Sequence, residues 1–286
     1  MVLNREFSMA IPASLVSDIP HLREKTLRIG MVGRAAAIFG VDEIIIFSDA
    51  PKRNQNREFN LIASILSYME TPQYLRKQLF KIKPELRFAG VLPPLRTPHH
   101  PLQNRVKDLV DGEYREGTVI AHTQDGTLVD VGVERHALIR NKKMQINTRV
   151  TVRIRKTKRL LGAEVVNRSE IAEYWGYQVT RSRLTFGKLL KKNAFDLVIT
   201  TSKYGKPFVD VLEELANRWK ASRKILVAFG APTRGLYEIA KQENLNLDDV
   251  ADFVVNTIPN QNVETVRTEE ALLVTLGILN YMVAKG

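Results

Sequence analysis

The chain has 286 residues, of which 44% are hydrophobic and 26% charged, a balance that is typical of globular proteins and excludes bulk disorder. It contains no cysteine, which excludes a disulfide framework, a thiolate nucleophile and a cysteine-ligated metal. The 43 Lys and Arg residues outnumber the 31 Asp and Glu residues, and the formal charge of +12 favours a polyanionic partner.

Residues 6–95 show the pattern of an α/β segment. We predict, in chain order, a strand over 7–16, a helix over 22–39, a strand over 43–47 and helices over 60–69 and 72–80. The unbroken apolar run of the second strand suits a strand buried on both faces of a parallel sheet. The last helix is expected to use Thr71 as its N-cap and Pro72 as its first residue. Residues 92–101 are rich in proline and interrupt regular structure, as a boundary would.

Residues 105–167 change to the alternating pattern of short β-strands. Five strands are predicted, over 115–123, 127–131, 135–139, 149–155 and 160–166. Asp125-Gly126 marks a hairpin turn, because glycine tolerates the positive φ that such turns require. The fourth strand places Val150 and Val152 on one face and Arg153 and Arg155 on the other. Five strands in so short a segment predict a small barrel of the oligonucleotide-binding type.

The positive charge is concentrated in this β-segment. Ten Lys and Arg residues and no acidic residue lie between Arg135 and Arg159, and a second acid-free basic cluster spans 181–192. Such clustering favours nucleic acid as the partner. The alternative is a structural β-insertion whose basic face only keeps it in solution. The predicted contacts are Arg140, Lys142, Lys143, Arg149, Arg153, Arg155, Lys156, Lys158 and Arg159.

Residues 168–286 return to an α/β pattern. Strands are predicted over 195–201, 225–229 and 251–257, and helices over 236–243 and 267–285. The last helix has an apolar face formed by Leu272, Leu276, Leu279 and Met282. Because the first and third segments are alike, we expect one α/β domain, made of 1–104 and 168–286, with 105–167 inserted as a barrel.

Two loops follow the last two of these strands. The first, 230–236, contains Gly230, Pro232 and Gly235, which fix a sharp turn and allow a ligand to approach the backbone closely. The second, 256–267, offers the side-chain amides of Asn260 and Gln261 to a purine edge. In open α/β sheets ligands bind beyond the carboxyl ends of the strands, where both loops lie. The alternative is an ordinary turn, followed by a polar loop that caps the last helix.

The two loops, in this order, resemble the cofactor loops of the SPOUT class of methyltransferases. Two further stretches, 29–43 and 92–101, extend the resemblance over essentially the whole chain, to the archaeal–eukaryotic subgroup of RNA uridine-N3 methyltransferases. The resemblance implies a Rossmann-like α/β domain with a trefoil knot and an inserted five-stranded barrel that resembles the oligonucleotide-binding fold. It also implies S-adenosylmethionine as cofactor, RNA as partner and a homodimer that pairs through the knot region.

The resemblance also implies site residues. The cofactor would be held by Thr201, Ser202, Gly230, Ala231, Pro232, Gly235, Leu236, Ile258, Pro259, Asn260, Gln261, Thr265, Val266 and Arg267. Arg34 is the candidate catalytic residue, because a guanidinium there would bind phosphate or stabilise a uracil anion. The alternative is a surface arginine on an alanine-rich helix. Methyl transfer requires no metal site, and we assign no general base.

The leading hypothesis is therefore an S-adenosylmethionine-dependent methyltransferase that acts on uridine N3 of ribosomal RNA. The rival is a non-catalytic RNA-binding or ribosome-assembly factor that retains the same scaffold. No stretch reaches the ~18 uninterrupted apolar residues of a membrane span. Residues 1–6 lack the basic-then-apolar layout of a signal peptide. We expect a cytoplasmic protein with no membrane partner.

Overall fold

The computed structural model describes residues 5–157, 160–192 and 194–285. The chain forms two compact units. The first comprises Met1–Ser67, Glu85–Pro93 and Tyr177–Gly286, and the second comprises Tyr68–Pro84 and Pro94–Gly176. No helix in the described part of the chain is both long enough and apolar enough to cross a bilayer.

The helices and strands follow one another in an order that returns to α/β after a run of strands. They are β1 (Glu6–Pro12), α1 (Leu22–Ile38), β2 (Glu43–Ser48), α2 (Asn56–Glu70), α3 (Arg76–Leu79), β3 (Tyr114–Thr123), β4 (Gly126–Asp130), β5 (Ala137–Arg140), β6 (Arg149–Lys156), β7 (Leu161–Val165), β8 (Gln178–Thr185), α4 (Phe186–Lys192), β9 (Leu197–Pro207), α5 (Phe208–Ala221), β10 (Lys224–Ala228), α6 (Leu236–Gln242), α7 (Leu247–Val250), β11 (Phe253–Asn256) and α8 (Thr268–Lys285).

The first unit is built on a six-stranded sheet in the order β11-β9-β10-β1-β2-β8. Every neighbouring pair of strands is parallel. One face packs Ala10, Phe47 and Leu226 against α4, α6 and α7. The residues that alternate with them, such as Met9 and Val227, are also fully buried, so both faces are covered. The predicted parallel α/β sheet is confirmed.

Helix α8 packs against both α1 and α5. In α8 the predicted apolar face is buried, from Leu272 to Met282. In α1 the helical spacing of Leu27, Met31, Ala35 and Phe39 predicts one buried face, and this prediction was only partly right. Ala35 is buried, but Leu27 and Met31 are 38% and 41% exposed, whereas Ile29 and Val32 are fully buried. The helix therefore buries the stripe next to the expected one.

The second unit contains a closed barrel in the order β3-β4-β5-β7-β6, as the five-strand pattern predicted. Its interior is filled by apolar residues such as Val119, Val129 and Ile154. The hairpin prediction is also confirmed, because β3 and β4 pair antiparallel up to Thr123 and Gly126. Gly126 has φ +150°, and a Cβ there would lie 2.0 Å from the carbonyl oxygen of Ile139. Only glycine fits this turn.

Of the two helix predictions near residue 70, the helix over 60–69 was too short and the helix over 72–80 was wrong. Helix α2 begins at Asn56 rather than at residue 60. Pro72 precedes a short 3₁₀ helix (Gln73–Leu75), and α3 has only four residues. The physical reason is Arg76, whose guanidinium donates to the carbonyl oxygens of Thr71 at 2.9 Å and Met69 at 3.1 Å. These bonds satisfy carbonyl groups at the end of α2. Thr71 therefore does not act as the N-cap of the helix that follows.

Candidate active site

A cavity of about 250 Å³ lies in the first unit at the carboxyl ends of β9, β10 and β11. Three segments line it, namely a bulge in β9, the loop that follows β10 and the loop that follows β11. This is the position where open parallel sheets bind ligands. The lining residues are Thr201–Tyr204, Phe229–Gly235, Tyr237, Glu238, Val255–Ile258, Gln261, Glu264–Val266, Thr268 and Ala271.

The loop after β10 is a tight turn held by its own backbone. The amide of Ala231 donates to the carbonyl of Arg234 at 2.9 Å. A Cβ on Gly230 would lie 3.2 Å from the Cα of Gly235 and from the nitrogen of Leu236, so a larger residue would push the loop open. Thr268 Oγ1 donates to the Gly230 carbonyl at 3.0 Å and fixes the start of α8 against this loop.

Gly235 differs from Gly230 although both line the cavity. Its φ is −70°, which any residue adopts, and a Cβ built on it would meet no atom within 4 Å. The side of Gly235 that lacks a side chain therefore faces open space, and Gly235 is one of the residues that line the cavity. A ligand is able to contact this backbone directly, and a methyl group would occupy part of the ligand's space.

Arg234 is anchored from outside the loop. Its Nη2 donates to Oδ2 of Asp49 at 2.9 Å, and Asp49 is fully buried just after β2. Asp49 also accepts hydrogen bonds from the Ser14 amide at 3.1 Å, the Ser14 hydroxyl at 2.6 Å and Gln55 Nε2 at 2.8 Å. The buried charge is thus compensated, and the network fixes the loop to the centre of the sheet.

The strand β9 contains an excursion that forms a second wall. Thr200 pairs with Val254, whereas Lys206 pairs with the next residue, Val255, so residues 201–205 bulge out of the ladder. The Asn256 side chain donates to the Lys203 carbonyl at 2.9 Å and holds the bulge in place. A Cβ on Gly205 would come within 2.7 Å of the Val254 carbonyl oxygen, which explains the glycine at this crossing.

The loop after β11 forms the third wall and is braced internally. The Ile258 amide donates to Asn256 Oδ1 at 2.9 Å. Gln261 Nε2 donates to the carbonyl of Val263 at 2.8 Å and to that of Glu264 at 3.2 Å. The amide nitrogen of Gln261 thus shapes the loop, and the apolar Ile258 and Val266 supply contact surface.

Most of the residues predicted to hold the cofactor line this cavity. They are Thr201, Ser202, Gly230, Ala231, Pro232, Gly235, Ile258, Gln261, Thr265 and Val266. Four others, Leu236, Pro259, Asn260 and Arg267, do not line it. Leu236 is fully buried in the core beneath the loop, and the Arg267 amide donates to Glu270 at the start of α8. The Asn260 carbonyl accepts from Asn262 at 3.3 Å within its own loop.

Arg34 lies on α1, is partly buried and does not line the cavity of its own chain. The two acidic residues that open α8 are also outside it. Glu269 forms an ion pair with Arg28, and Glu270 accepts the Arg267 amide at 3.0 Å. Sequence reasoning missed Asp49, for which no local pattern gives a signal, because its partner Arg234 lies 185 residues away.

The basic residues of the barrel fall into different environments. Arg140, Lys142 and Lys143 are exposed, and Lys158 and Arg159 lie outside the described residues. Arg155 pairs with Glu164 at 2.7 Å on the surface. Lys156 Nζ donates to the carbonyls of Lys107 and Leu109, both at 3.0 Å. Nε of Arg153 is buried and has no partner among the described residues.

Arg149 was predicted to contact nucleic acid, and the structure places it inside a buried ionic cluster. Its guanidinium bonds to Glu70, with Nη2 3.0 Å from Oε1, and also to Glu116. Burial opposes ionisation of Glu70, but the hydrogen bond from His99 and the charge of Arg149 outweigh it and lower its pKa to about 2. The two carboxylates raise the pKa of Arg149 although burial opposes this. The pair of Glu70 and Arg149 is therefore ionised at every physiological pH.

Comparison with known proteins identifies the class. Residues 6–279 match the model of a family described as "Putative RNA methyltransferase". The 28S rRNA (uridine-N(3))-methyltransferases of Mus musculus and Homo sapiens are both 32% identical to this chain, over 95% of it and 75% and 77% of their own lengths. An uncharacterized protein of Haloarcula marismortui is 33% identical over 95% of this chain and 98% of its own.

The match covers nearly the whole chain, so the chain belongs to this family of RNA methyltransferases. It is an enzyme that transfers a methyl group to RNA.

Proposed function

We propose that the chain is an S-adenosylmethionine-dependent methyltransferase that modifies N3 of a uridine in ribosomal RNA. The observation that carries the proposal is the cavity at the ends of β9, β10 and β11, with the open side of Gly235 facing it. The choice of uridine N3 in ribosomal RNA follows the names of the mouse and human relatives, which match 95% of the chain.

The residues of the cavity fit S-adenosylmethionine. When bound, this cofactor supplies an electrophilic methyl group for a nucleophilic atom of the base. The turn 230–235 offers backbone groups to the adenosyl portion, and Gly235 leaves the space that it needs. Ile258 and Val266 supply apolar walls that exclude water, while Thr201 and Ser202 offer hydroxyl groups on the opposite wall. The predicted contacts Leu236, Pro259, Asn260 and Arg267 act behind the lining, by shaping the loops.

We place the chain in the SPOUT class, with the trefoil knot formed where the last segment passes the loop after β10. The hydrogen bond from Thr268 to the Gly230 carbonyl supports this placement, because it joins the start of α8 to that loop at 3.0 Å. In the same proposal, 105–167 is an insertion between the two parts of the methyltransferase domain, 1–104 and 168–286.

RNA is held, in this proposal, by the exposed basic residues of the barrel. Arg140, Lys142 and Lys143 are free to contact phosphates, and Arg155 and Lys156 lie at the end of β6 with only surface or carbonyl partners. Arg149 has a structural role instead, since both sides of its guanidinium are occupied by buried carboxylates.

We further propose a homodimer that pairs through α1 and α8. These helices pack together and leave apolar side chains exposed on both, including Met31 at 41%, Ile38 at 53%, Leu273 at 43% and Tyr281 at 67%. Adjacent exposed apolar residues of this kind mark an association surface. Arg34 belongs to the same helix, and we propose that in the dimer its guanidinium reaches the cavity of the partner and stabilises the uracil anion there.

The proposal is tested by methyl transfer to ribosomal RNA from cells that lack this gene. The protein is incubated with deuterium-labelled S-adenosylmethionine and the RNA, which is then digested to nucleosides and analysed by mass spectrometry. We expect labelled 3-methyluridine. Label on a different nucleoside would contradict the acceptor atom, and absence of label together with absence of cofactor binding would favour the non-catalytic scaffold.

A further inference from the structure

The proline-rich segment 92–101, which interrupts regular structure, does not line the cavity at the ends of β9, β10 and β11. In the second unit, residues 96–103 form one wall of a separate cavity of about 600 Å³. Residues 112–114 form the facing wall, and Glu173 and Trp175 close it. A cavity of this size lies within the range of small-molecule sites.

The wall that contains this segment is held rigidly from behind. His99 and His100 both contact the carbonyl oxygen of Glu70, with Nε2–O distances of 2.9 and 2.7 Å. His99 is fully buried, and its Nδ1 lies 3.1 Å from the Thr97 hydroxyl. The segment is therefore fixed to the ionic cluster of Glu70 and Arg149, and the cavity is preformed rather than closed by a ligand.

Arg96 places a charged group at this cavity. It is exposed, and it forms no hydrogen bond or ion pair with the described residues. Its backbone has φ +54°, a left-handed conformation that is unfavourable for a non-glycine residue. Residues with strained backbones are enriched at ligand-binding sites.

A second positive charge lies behind the facing wall. Gly112 has φ +87°, and a Cβ on it would lie 3.5 Å from Nη2 and 3.6 Å from Nε of Arg153. The Nε group of Arg153 is buried and has no partner in the described chain. The carboxylate of Glu113 is already occupied by Arg115 Nε at 2.7 Å and the Val110 amide at 2.9 Å. The exposed Glu173 is the other carboxylate at the cavity, so the three guanidinium groups of Arg96, Arg115 and Arg153 outnumber the two carboxylates and favour an anionic group on the Arg96 side.

The cavity also offers groups that suit a nucleobase. The rings of Tyr114 and Trp175 meet edge to face with centroids 6.0 Å apart and form an aromatic wall. Burial lowers the pKa of His100 to about 4, so its ring is neutral and donates from Nε2 to the Glu70 carbonyl. Nδ1 of His100 is then an acceptor, and the side-chain amide of Gln103 adds a donor and a second acceptor.

We propose that this cavity binds one unstacked nucleotide of the RNA substrate, with the base against Tyr114 and Trp175 and the phosphate at Arg96. Aromatic surface combined with a guanidinium is the chemistry that holds single-stranded RNA. The inference rests on the proposed function, and it adds a nucleotide anchor to the charge-only contacts of Arg140, Lys142 and Lys143.

The test is fluorescence anisotropy with fluorescein-labelled decauridylate at several salt concentrations. Arg96→Gly relieves the left-handed strain, so it is expected to retain the melting temperature while weakening affinity about fivefold or more and lowering the salt dependence. Tyr114→Leu is expected to weaken affinity by a similar factor without changing the salt dependence. The matched control Arg135→Ala removes an equal charge from an exposed turn of the same unit and should stay within about twofold of the wild type.

The proposal is overturned if Arg96→Gly and Tyr114→Leu bind decauridylate as tightly as Arg135→Ala does. It is also overturned if the wild-type protein does not bind this probe, because every contact invoked is available from uridylate. Titration of the same samples with S-adenosylhomocysteine separates the two claims. If all the proteins bind S-adenosylhomocysteine and the two variants bind RNA as tightly as the control does, only the nucleotide anchor is disproved. If the wild type does not bind S-adenosylhomocysteine, the proposed function itself is disproved.

Discussion

Nη2 of Arg234 lies 2.9 Å from Oδ2 of Asp49, and this ion pair joins the loop after β10 to the end of β2. Arg234 is 27% exposed at the cavity, whereas Asp49 is fully buried and accepts three further hydrogen bonds. The loop that contains Gly230 and Gly235 is therefore held in its binding conformation before any ligand arrives. Such preorganisation lowers the entropic cost of binding.

Replacing Arg234 tests this anchor. We expect Arg234→Ala to weaken S-adenosylhomocysteine binding about tenfold, because the loop loses its tether, and to lower the free energy of unfolding by only about 1–3 kcal/mol. Calorimetric titration and urea unfolding provide the two measurements. Arg23→Ala is the control, since Arg23 is exposed on α1. Equal cofactor affinity in the two variants would show that the ion pair does not position the loop.

The contrast between Arg149 and Arg155 gives a second prediction, on stability. Arg149→Met leaves Glu70 and Glu116, which are 7% and 3% exposed, without their shared cation, and we expect a loss of about 3 kcal/mol or more. Arg155→Met breaks an exposed pair with Glu164, and we expect a loss of about 1 kcal/mol or less. Urea denaturation of both variants measures the difference. Similar losses would mean that the cluster around Glu70 does not stabilise the second unit.

His100 makes the stability of the protein depend on pH. Its pKa is lowered from 6.5 to about 4 in the folded state, first by burial and then by His99. Between pH 6.5 and 4 the unfolded chain binds a proton that the folded chain does not, so stability is complete above pH 6.5 and falls as the pH drops towards 4. The slope from this one group is at most ~1.4 kcal/mol per pH unit.

The pH effect is measured by urea unfolding between pH 7 and pH 4.5. We expect His100→Gln to flatten the slope, because the amide cannot titrate, whereas the exposed His136→Gln should leave it unchanged. Glu70 continues the trend at lower pH, since its folded pKa of about 2 lies below the ordinary 4.5. Parallel slopes for wild type and His100→Gln would contradict the assignment of a buried, neutral His100.

The dimer is tested through the exposed apolar surface of α1 and α8. We expect light scattering to give twice the chain mass for the wild type and a single chain mass for Ile38→Glu, since a buried charge disrupts an apolar interface. Ile82→Glu is the control, because Ile82 is fully exposed in the second unit. A wild-type monomer at micromolar concentration would contradict the proposed pairing and the role proposed for Arg34.

The elements that sequence predicted well are those with strong local signals. The apolar runs of β1, β2 and β10, the alternation in β6 and the glycine at position 126 all specify their structure over a few residues. Strand β8 was not predicted, because its sequence is mostly polar and it pairs on one side only, with β2 at the sheet edge. Helix α5 was not predicted either, although its buried residues Val211, Leu215 and Trp219 lie at helical spacing.

In the candidate site, too, the residues with a recognisable sequence motif were predicted, and those that depend on long-range contacts were not. The glycines and the loop residues were predicted from resemblance, and ten of the fourteen cofactor residues line the cavity. The exceptions depend on three-dimensional contacts. The backbone carbonyl of Asn260 accepts a hydrogen bond within its own loop, and Leu236 lies beneath the turn in the core. The Asp49 anchor and the ionic cluster of Glu70 join residues far apart in the chain, so no local pattern reveals them.

The most direct test of the account is calorimetric titration with S-adenosylhomocysteine of the wild type, Gly235→Ala and Gly90→Ala. Both glycines have open space where a Cβ would lie and neither has a positive φ, so both variants should fold normally. Only Gly235 lines the cavity. We predict micromolar binding by the wild type and by Gly90→Ala, with at least a tenfold loss in Gly235→Ala. Equal affinity in all three proteins, or no binding by the wild type, would contradict the assignment of this cavity to the cofactor.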